Sequence, residues 1–502
     1  MAGKYVGAVD QGTTGTRFMV FDPEGAVVAS QYQEHQQIYP RPGYVEHNAN
    51  EIWANTKLVM HGALEQSGIK VEDLAAIGLT NQRETTLVWD RESGEPLTNA
   101  IVWQDTRTRD RCEQLQQSGL SGRIQRKTGL VVATYFSAPK LEWILDTVKG
   151  ARRAAERGRL LFGTVDSWLI WWLTGGPNGG VHLTDCTNAS RTMLMDLRSL
   201  QWDRGLLKLF DIPPEMLPAI RPSSDRRRYG HALGGVPVTA DLGDQQAALF
   251  GQTCFRTGEG KNTYGTGSFL LVNTGRTPVR SRHGLLTTVA YGLQPGRCSY
   301  ALEGSIAVTG AAVQWLRDNL QMIGSAQESE AVAASVPDSG GVYFVPAFSG
   351  LFAPHWDMDA RGTIVGLTRY ATRAHLVRAT LEAICYQTAE VVAVMEKESG
   401  SRLRSLKVDG GAVGNDLLMQ LQADILGVPV VRAAVTETTA LGAAYAAGLA
   451  VGFWSSLSSL RKNAKVGQIF RPVSSPAARA GGMRGWKKAV ERSRGWLQPA
   501  RP

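Results

Sequence analysis

The sequence predicts an α/β fold built in two halves around a phosphate-binding cleft. Apolar runs of strand length alternate with runs of helical period along most of the chain. A Gly- and Thr-rich turn between two strand-like runs, residues 9–17, has an echo at residues 260–274, half a chain further on. At 502 residues the chain is too long for one hydrophobic core and requires more than one domain.

The first turn reads Val9-Asp-Gln-Gly-Thr-Thr-Gly-Thr-Arg17, between the strands Tyr5–Val9 and Phe18–Phe21. Asp10 ends a strand where it can face a hydrated Mg²⁺. Gly12 and Gly15 let the backbone approach an anion, and Thr13, Thr14 and Thr16 offer hydroxyl donors. Arg17 adds a fixed cation. No GxxxxGK[ST] occurs, so this is not a P-loop. The same residues would also make an ordinary polar hairpin. The echo, Gly260 to Thr274, again sets a Gly-Thr-Gly turn (Gly265 to Gly267) between strands, which suggests a nucleotide gripped from both halves.

Between the turns, helical patterns cover Asn50–Ser67, Ser137–Val148 and Thr164–Leu173. Strand-like runs fall at Ile77–Thr80, Thr85–Trp89 and Ile101–Trp103. A Pro- and Arg-rich stretch, Pro213–Pro237, precedes Asp241-Leu-Gly-Asp-Gln-Gln and a short helix, Ala247–Gly251. The second half starts near Cys254, dividing the chain into 1–253 and 254–502. Its helices are expected at Thr309–Leu320, Arg373–Glu396 and Asp416–Leu426. The strand Ser405–Val408 runs into Asp409-Gly-Gly, and a strand, two glycines and a helix make a backbone-donor site for a nucleotide. Ala440–Trp454 is apolar but short of the roughly 20 residues that span a bilayer, and reads as a packed internal helix. The last 30 residues read as a loose Ala/Arg/Gly-rich tail around one short helix, Arg484–Trp496.

Hydrophobic residues make up 43% and charged residues 20%, which is globular rather than disordered. The net charge of +9 favours anionic ligands, but the bases are scattered and no basic-aromatic stripe points to nucleic acid. The five cysteines lack CxxC spacing and read as reduced thiols of a cytoplasmic protein, not as a disulfide framework or zinc site. The N-terminus enters its first strand without a basic-then-apolar leader.

A second constellation is sized for a small substrate. Arg83 and Glu84 follow a strand end, where a guanidinium and a carboxylate can grip vicinal hydroxyls; a surface ion pair is the plainer alternative. Trp103, Tyr135 and Phe269 could pack on a carbon chain, although aromatics more often belong to a core. Asp244 lies at a strand-to-helix junction, where it could accept an alcohol proton or merely cap the helix.

Nine stretches, taken in order, resemble the FGGY family of carbohydrate kinases over nearly the whole chain. They include Asp10-Gln-Gly-Thr-Thr, Gly43-Tyr-Val-Glu-His, Ile77-Gly-Leu-Thr-Asn-Gln-Arg-Glu-Thr-Thr, Ala100-Ile-Val-Trp-Gln-Asp-Thr-Arg-Thr and Thr184-Asp-Cys-Thr-Asn-Ala-Ser-Arg-Thr-Met. Later come Gly243-Asp-Gln-Gln-Ala-Ala-Leu-Phe-Gly-Gln, Lys261-Asn-Thr-Tyr-Gly-Thr-Gly, Val408-Asp-Gly-Gly-Ala-Val and Thr439-Ala-Leu-Gly-Ala-Ala-Tyr. Tyr135 to Asp146, with Lys140 and Trp143, resembles a family signature.

The resemblance implies an actin/hexokinase-like ATPase fold, two ribonuclease-H-like domains flanking a nucleotide cleft. It implies ATP-dependent phosphorylation of glycerol to sn-glycerol 3-phosphate in a cytoplasmic homo-oligomer, dimer or tetramer, with no membrane insertion. By motif, Arg83, Glu84, Tyr135, Asp244 and Gln245 would hold glycerol, with Trp103 and Phe269 against its carbons. Asp244 would be the general base. Thr13, Thr14, Gly15, Arg17, Thr266, Gly310, Gln314, Gly411 and Asn415 would hold ATP, and Asp10 and Asp244 would approach Mg²⁺. Phe352 and His355 depart from the family's usual glycine and tyrosine, and altered packing or kinetics is expected there. Arg226 to Arg228 could bind an anion, although a solvated loop is the plainer reading.

Overall fold

The computed structural model describes residues 3–497, and two twisted sheets organise it. The first holds β1 (Tyr5–Gln11), β2 (Gly15–Phe21), β3 (Val27–Glu34), β4 (Leu74–Asn81), β5 (Gly230–Ala232) and β6 (Val236–Gly243), in the order β5-β6-β4-β1-β2-β3. The second holds β7 (Gly260–Tyr264), β8 (Ser268–Gly275), β9 (Leu286–Gln294), β10 (Arg297–Ile306), β11 (Leu406–Asp409), β12 (Val430–Ala433) and β13 (Val466–Phe470), in the order β9-β10-β8-β7-β11-β12-β13.

One topology serves twice. In the first sheet β1 pairs antiparallel with β2 and parallel with β4; β2 pairs antiparallel with β3, β4 parallel with β6, and β6 antiparallel with β5. In the second, β7, β8, β10, β11, β12 and β13 repeat those relations in the same sense. The faint echo between the two turns is therefore a repeat of the whole sheet, and β9 is an addition to the second copy.

Helices cover the sheets. They include α1 (Ala49–Ser67), α2 (Ser137–Thr147), α3 (Val165–Leu173), α4 (Asp244–Gly251), α5 (Gly310–Asp318), α6 (Arg373–Ser399), α7 (Asp416–Leu426), α8 (Thr438–Val451) and α9 (Pro476–Ser493). α1 begins where the Asn48 side chain accepts from the Asn50 and Glu51 N–H groups, and stops at Gly68 in the left-handed region, φ 69°. Its buried stripe of Ile52, Val59, Met60 and Ala63 joins the first core.

α4 and α8 cross at the junction of the two lobes. α8 packs on β1, β4 and β6 of the first sheet, while α4 reaches β7, β8 and β9 of the second. The crossing is close because Gly251 and Gly442 carry no side chains. A Cβ on Gly442 would lie 1.8 Å from the Ala247 carbonyl oxygen, and one on Gly251 would lie 2.1 Å from that of Thr438. An apolar cluster with Val6, Ala8, Ala76, Ala240, Leu242, Leu249, Phe250, Leu271 and Leu441 seals the junction. The apolar run from Ala440 is this junction helix, and among the described residues no helix is long and apolar enough to cross a membrane.

Several expected bounds shift. The expected strand over 101–103 is only Ala100–Ile101, so Trp103 follows the strand instead of closing it; the one expected over 85–89 is Leu87–Asp90. The C-terminal stretch is not loose through residue 493. α9 starts at Pro476 instead of Arg484, and Trp486, stacked on Tyr386 at 5.6 Å between ring centroids, is fully buried. The expected helix end at Trp496 is wrong by three residues, since α9 stops at Ser493. Residues 498–502 lie outside the described residues. Phe352 finds room by stacking on Trp356 with rings 6.0 Å apart, and His355 bonds Glu390 at 3.1 Å.

Candidate active site

The C-terminal ends of three neighbouring strands meet in the first lobe, where Gln11, Asn81 and Gly243 stand side by side in register. Chain leaving each of these ends carries a candidate group: the first turn after β1, Arg83 and Glu84 after β4, and Asp244 after β6. This is where open α/β sheets form ligand crevices.

Arg83 and Glu84 are not a surface pair. Both are buried and their charged groups come no nearer than 3.9 Å, Arg83 Nε to Glu84 Oε1, because each faces another partner. Arg83 grips Glu303 of β10 with two nitrogens, Nη1 to Oε2 at 2.5 Å and Nη2 to Oε1 at 3.2 Å, and its Nε lies 3.1 Å from Asp244 Oδ1. Glu84 accepts from Arg191 Nε at 2.6 Å, and Arg191 Nη2 donates to Glu303 Oε1 at 3.0 Å. Glu84 also sits at φ 62°, a strained conformation for a residue with a side chain, as binding positions often are. Gly243 makes the passage for Arg83: a Cβ there would lie 2.7 Å from the arginine's Cγ and Cδ. Two arginines and two glutamates thus close a charge ring under the crevice.

The ring sets the local titration. Burial pushes the Glu303 carboxyl up, but Arg191 and Arg83 outweigh it and hold the group at about 2. Glu84 is shifted up by burial, against the same two arginines. Burial and then the charge of Asp244 push Asp10 up to about 7, with Arg17 opposing. Two facing carboxylates of this kind favour a cation between them. Among the described residues no group of three or more His, Cys, Asp or Glu forms a ready-made metal cage.

Asp244 is the first residue of α4 and does not cap it; the cap position is Gly243, without a side-chain bond. Its Oδ1 accepts the Gln245 N–H at 2.7 Å and its Oδ2 accepts from Gln245 Nε2 at 3.0 Å, so the carboxylate is held in one orientation while 30% of its side chain stays exposed. Gln245 in turn accepts from Lys261 Nζ, which burial lowers to about 8.

Aromatic rings wall the crevice. Trp103 meets Tyr135 edge-on at 5.4 Å and Phe269 at 6.3 Å, and Phe269 comes from the second lobe. The Trp103 indole donates to Thr13 Oγ1 at 3.0 Å, tying this wall to the first turn. Lys140 donates to the Thr134, Tyr135 and Phe136 carbonyls and so fixes the Tyr135 loop.

The phosphate-side residues fall into separate groups. In the first turn Thr13 is engaged by Trp103 and Thr14 is exposed, but Thr16 is fully buried with its hydroxyl unpartnered, so it does not face an anion as the sequence suggested. Gly15 is required by packing: a Cβ would lie 2.6 Å from the Gln33 carbonyl oxygen on β3. Gly267 stands equivalently, 2.4 Å from the Ile306 carbonyl on β10. Arg17 lies 3.6 Å from Glu437 of the second lobe. In the second turn, Gly310 N donates to the Gly265 carbonyl at 3.0 Å and Ala311 N to that of Thr266 at 3.1 Å, which joins α5 to the turn. Gly411 is exposed with open space around it, and Asn415 caps α7 through Leu418 N at 2.8 Å. Gln314 lies exposed on α5 and no bond joins it to these groups.

Sequence reasoning missed Arg191 and Glu303. Arg191 lies inside one of the matched stretches but carried no assignment. Nothing local marks Glu303, whose bonding partner Arg83 is 220 residues away.

A doubled α/β sheet with a polar crevice at its junction defines a two-lobed phosphotransferase class. The sequence model of the FGGY carbohydrate kinase N-terminal domain matches residues 5–251, and that of the C-terminal domain matches residues 260–451. The chain is 60% identical over 498 residues to a glycerol kinase of Chloroflexus aurantiacus, covering 99% of this chain and all of the relative. It is 59% identical over 499 residues to a glycerol kinase of Mycobacterium tuberculosis, covering 98% and 96%. The crystal structure of Plasmodium falciparum glycerol kinase with ADP superposes with a TM-score of 0.93 at 37% identity, covering 99% of each chain. The chain belongs to the FGGY family of carbohydrate kinases.

Proposed function

We propose that this protein transfers the γ-phosphoryl of ATP to glycerol, giving sn-glycerol 3-phosphate and ADP. The observation that carries the reading is the arrangement of Arg83, Glu84, Asp244, Tyr135 and Trp103 about one crevice, in a chain 60% identical to a glycerol kinase.

Arg83 and Glu84 hold the vicinal hydroxyls, one donating and the other accepting, while Trp103, Tyr135 and Phe269 pack on the carbons and exclude water. Gln245 fixes Asp244, which orients the terminal hydroxyl and takes its proton as general base. The transferred group passes through a loose transition state, so alignment and charge neutralisation outweigh the strength of the base. Thr13, Thr14, Gly15 and Arg17 from one turn, and Thr266 with Gly310 from the other, face the phosphates; Gly411, Asn415 and Gln314 serve the nucleoside. Asp10 and Asp244 would hold Mg²⁺, which when bound supplies positive charge to the phosphates. Arg17, at 3.6 Å from Glu437, has a loose partner it can exchange for phosphate. We place the join of the two domains at 253/254, the enzyme in the cytoplasm, and its assembly as a homo-oligomer.

Measuring ADP release against a panel of polyols and sugars tests the reading. Strong stimulation by glycerol and little by xylulose or gluconate is expected; a preference for a sugar, or no stimulation, would overturn it.

A further inference from the structure

Arg191 and Glu303 stand behind the substrate crevice, touch none of the groups assigned to ATP, and contact three residues assigned to glycerol. Arg191 donates to Glu84, and its guanidinium carbon lies 5.8 Å from the centre of the Tyr135 ring. Glu303 holds Arg83 with two bonds. The two residues bond each other at 3.0 Å, and both side chains are fully buried. Buried charges persist only when paired and hydrogen-bonded, and breaking one such pair strands its partner.

Glu303 also belongs to the other lobe. β10 carries it across the junction to meet arginines that follow β4 and the short 186–189 helix of the first lobe. Arg83 has five donors on a planar fork; Glu303 takes two of its nitrogens, and Asp244 lies nearest Nε. Without Glu303, the Arg83 fork keeps only the 3.3 Å contact of Nη1 with Gln246 Oε1 and that of Nε with Asp244.

From this geometry we infer that Glu303 and Arg191 are positioning residues for the polyol: the second lobe, through Glu303, fixes the donor face of Arg83, and Arg191 fixes Glu84 and Tyr135. The glycerol site therefore exists in its binding form only while the two lobes are seated against each other. The inference rests on the glycerol reading above.

The test is a double-mutant cycle on the full-length enzyme. Glu303→Gln should raise the glycerol KM by about 30-fold or more while the ATP KM moves less than about threefold, the scale expected when a charge-assisted contact to one ligand is lost. Arg83→Ala should raise the glycerol KM comparably. Glu303→Gln added to Arg83→Ala should then have a much smaller further effect, because most of its action runs through that arginine and only its bond to Arg191 is left to lose. Glu303→Asp, which keeps the charge on a shorter arm, should recover part of the loss. Multiplying effects in the double variant, or equal rises in both KM values, would mark Glu303 as a purely structural residue and overturn the inference. Should Glu303→Gln fail to fold, Arg191→Met with Glu303→Gln removes one charge of each sign and must give the same selective rise in glycerol KM. Failure of the glycerol reading itself shows differently, as absence of glycerol stimulation in the unmodified enzyme.

Discussion

Asp244 carries the sharpest expectation at the scale of single residues. Asp244→Asn keeps the size and can still accept the Gln245 N–H through its oxygen, but its NH2 cannot accept from Gln245 Nε2 and the side chain cannot take a proton, so turnover should fall about 100-fold or more while glycerol binding survives. Steady-state kinetics with a glycerol-induced thermal shift separate the two, and near-normal turnover would remove Asp244 from the role of base. The charge ring makes a second prediction. The Glu303 carboxyl is held at about 2 against an ordinary 4.5, so its contribution is fully present above pH 4.5 and is lost as the pH falls toward 2. Glu84, shifted up by burial, acts in the opposite direction. The acid limb of an unfolding titration should be shallower in Glu303→Gln. Arg83, Glu84, Tyr135 and Asp244 were legible because their chemistry sits in local motifs. What the motifs did not carry is which charge answers which: removing Arg83 takes two bonds from Glu303 and only a 3.9 Å contact from Glu84, and both glutamates keep Arg191.

At the scale of elements, long helices with a clear apolar stripe and a capping residue were read closely, as α1, α6 and α7 show. α9 was not, because its glycines look like tail. They are contact points instead: a Cβ on Gly482 would lie 2.3 Å from the Tyr386 hydroxyl, and one on Gly485 would lie 2.2 Å from that of Tyr343. Glycine there lets a helix lie against two tyrosines, a tertiary reason invisible in a local window. The same logic yields a paired test. Gly442→Ala forces α4 and α8 apart and should lower the thermal unfolding temperature, overpacking costing about 1–3 kcal/mol. Gly62→Ala, inside α1, meets only the Gln31 side chain at 3.4 Å and should raise it through helix propensity, by about 1 kcal/mol at most. Equal behaviour of the two variants would contradict the close crossing.

The two-lobed architecture was legible at the scale of the whole molecule, because a repeated turn announced a repeated sheet. The exchange of junction helices was not, since each half alone gives no sign that its helix lies on the other's sheet. Phe269, Glu303 and Glu437 all reach from the second lobe to first-lobe groups. Relative motion of the lobes should therefore assemble the crevice and shut out water together. ATP hydrolysis without a polyol should run about tenfold or more below the rate of glycerol-stimulated ADP release. Comparable rates would show a site complete before the alcohol arrives.

The exchange of helices also bears on how the chain is made. When the ribosome has delivered the first 250 or so residues, the face of β1, β4 and β6 carrying Val6, Ala8, Ala76, Ala240 and Leu242 still awaits α8, encoded near the far end of the message. A nascent first lobe thus presents an apolar surface to its surroundings until residue 451 has left the exit tunnel. Protection by a chaperone, or rapid completion of synthesis, becomes a condition of its solubility, and premature termination inside the second half should yield aggregate instead of a smaller, working fragment.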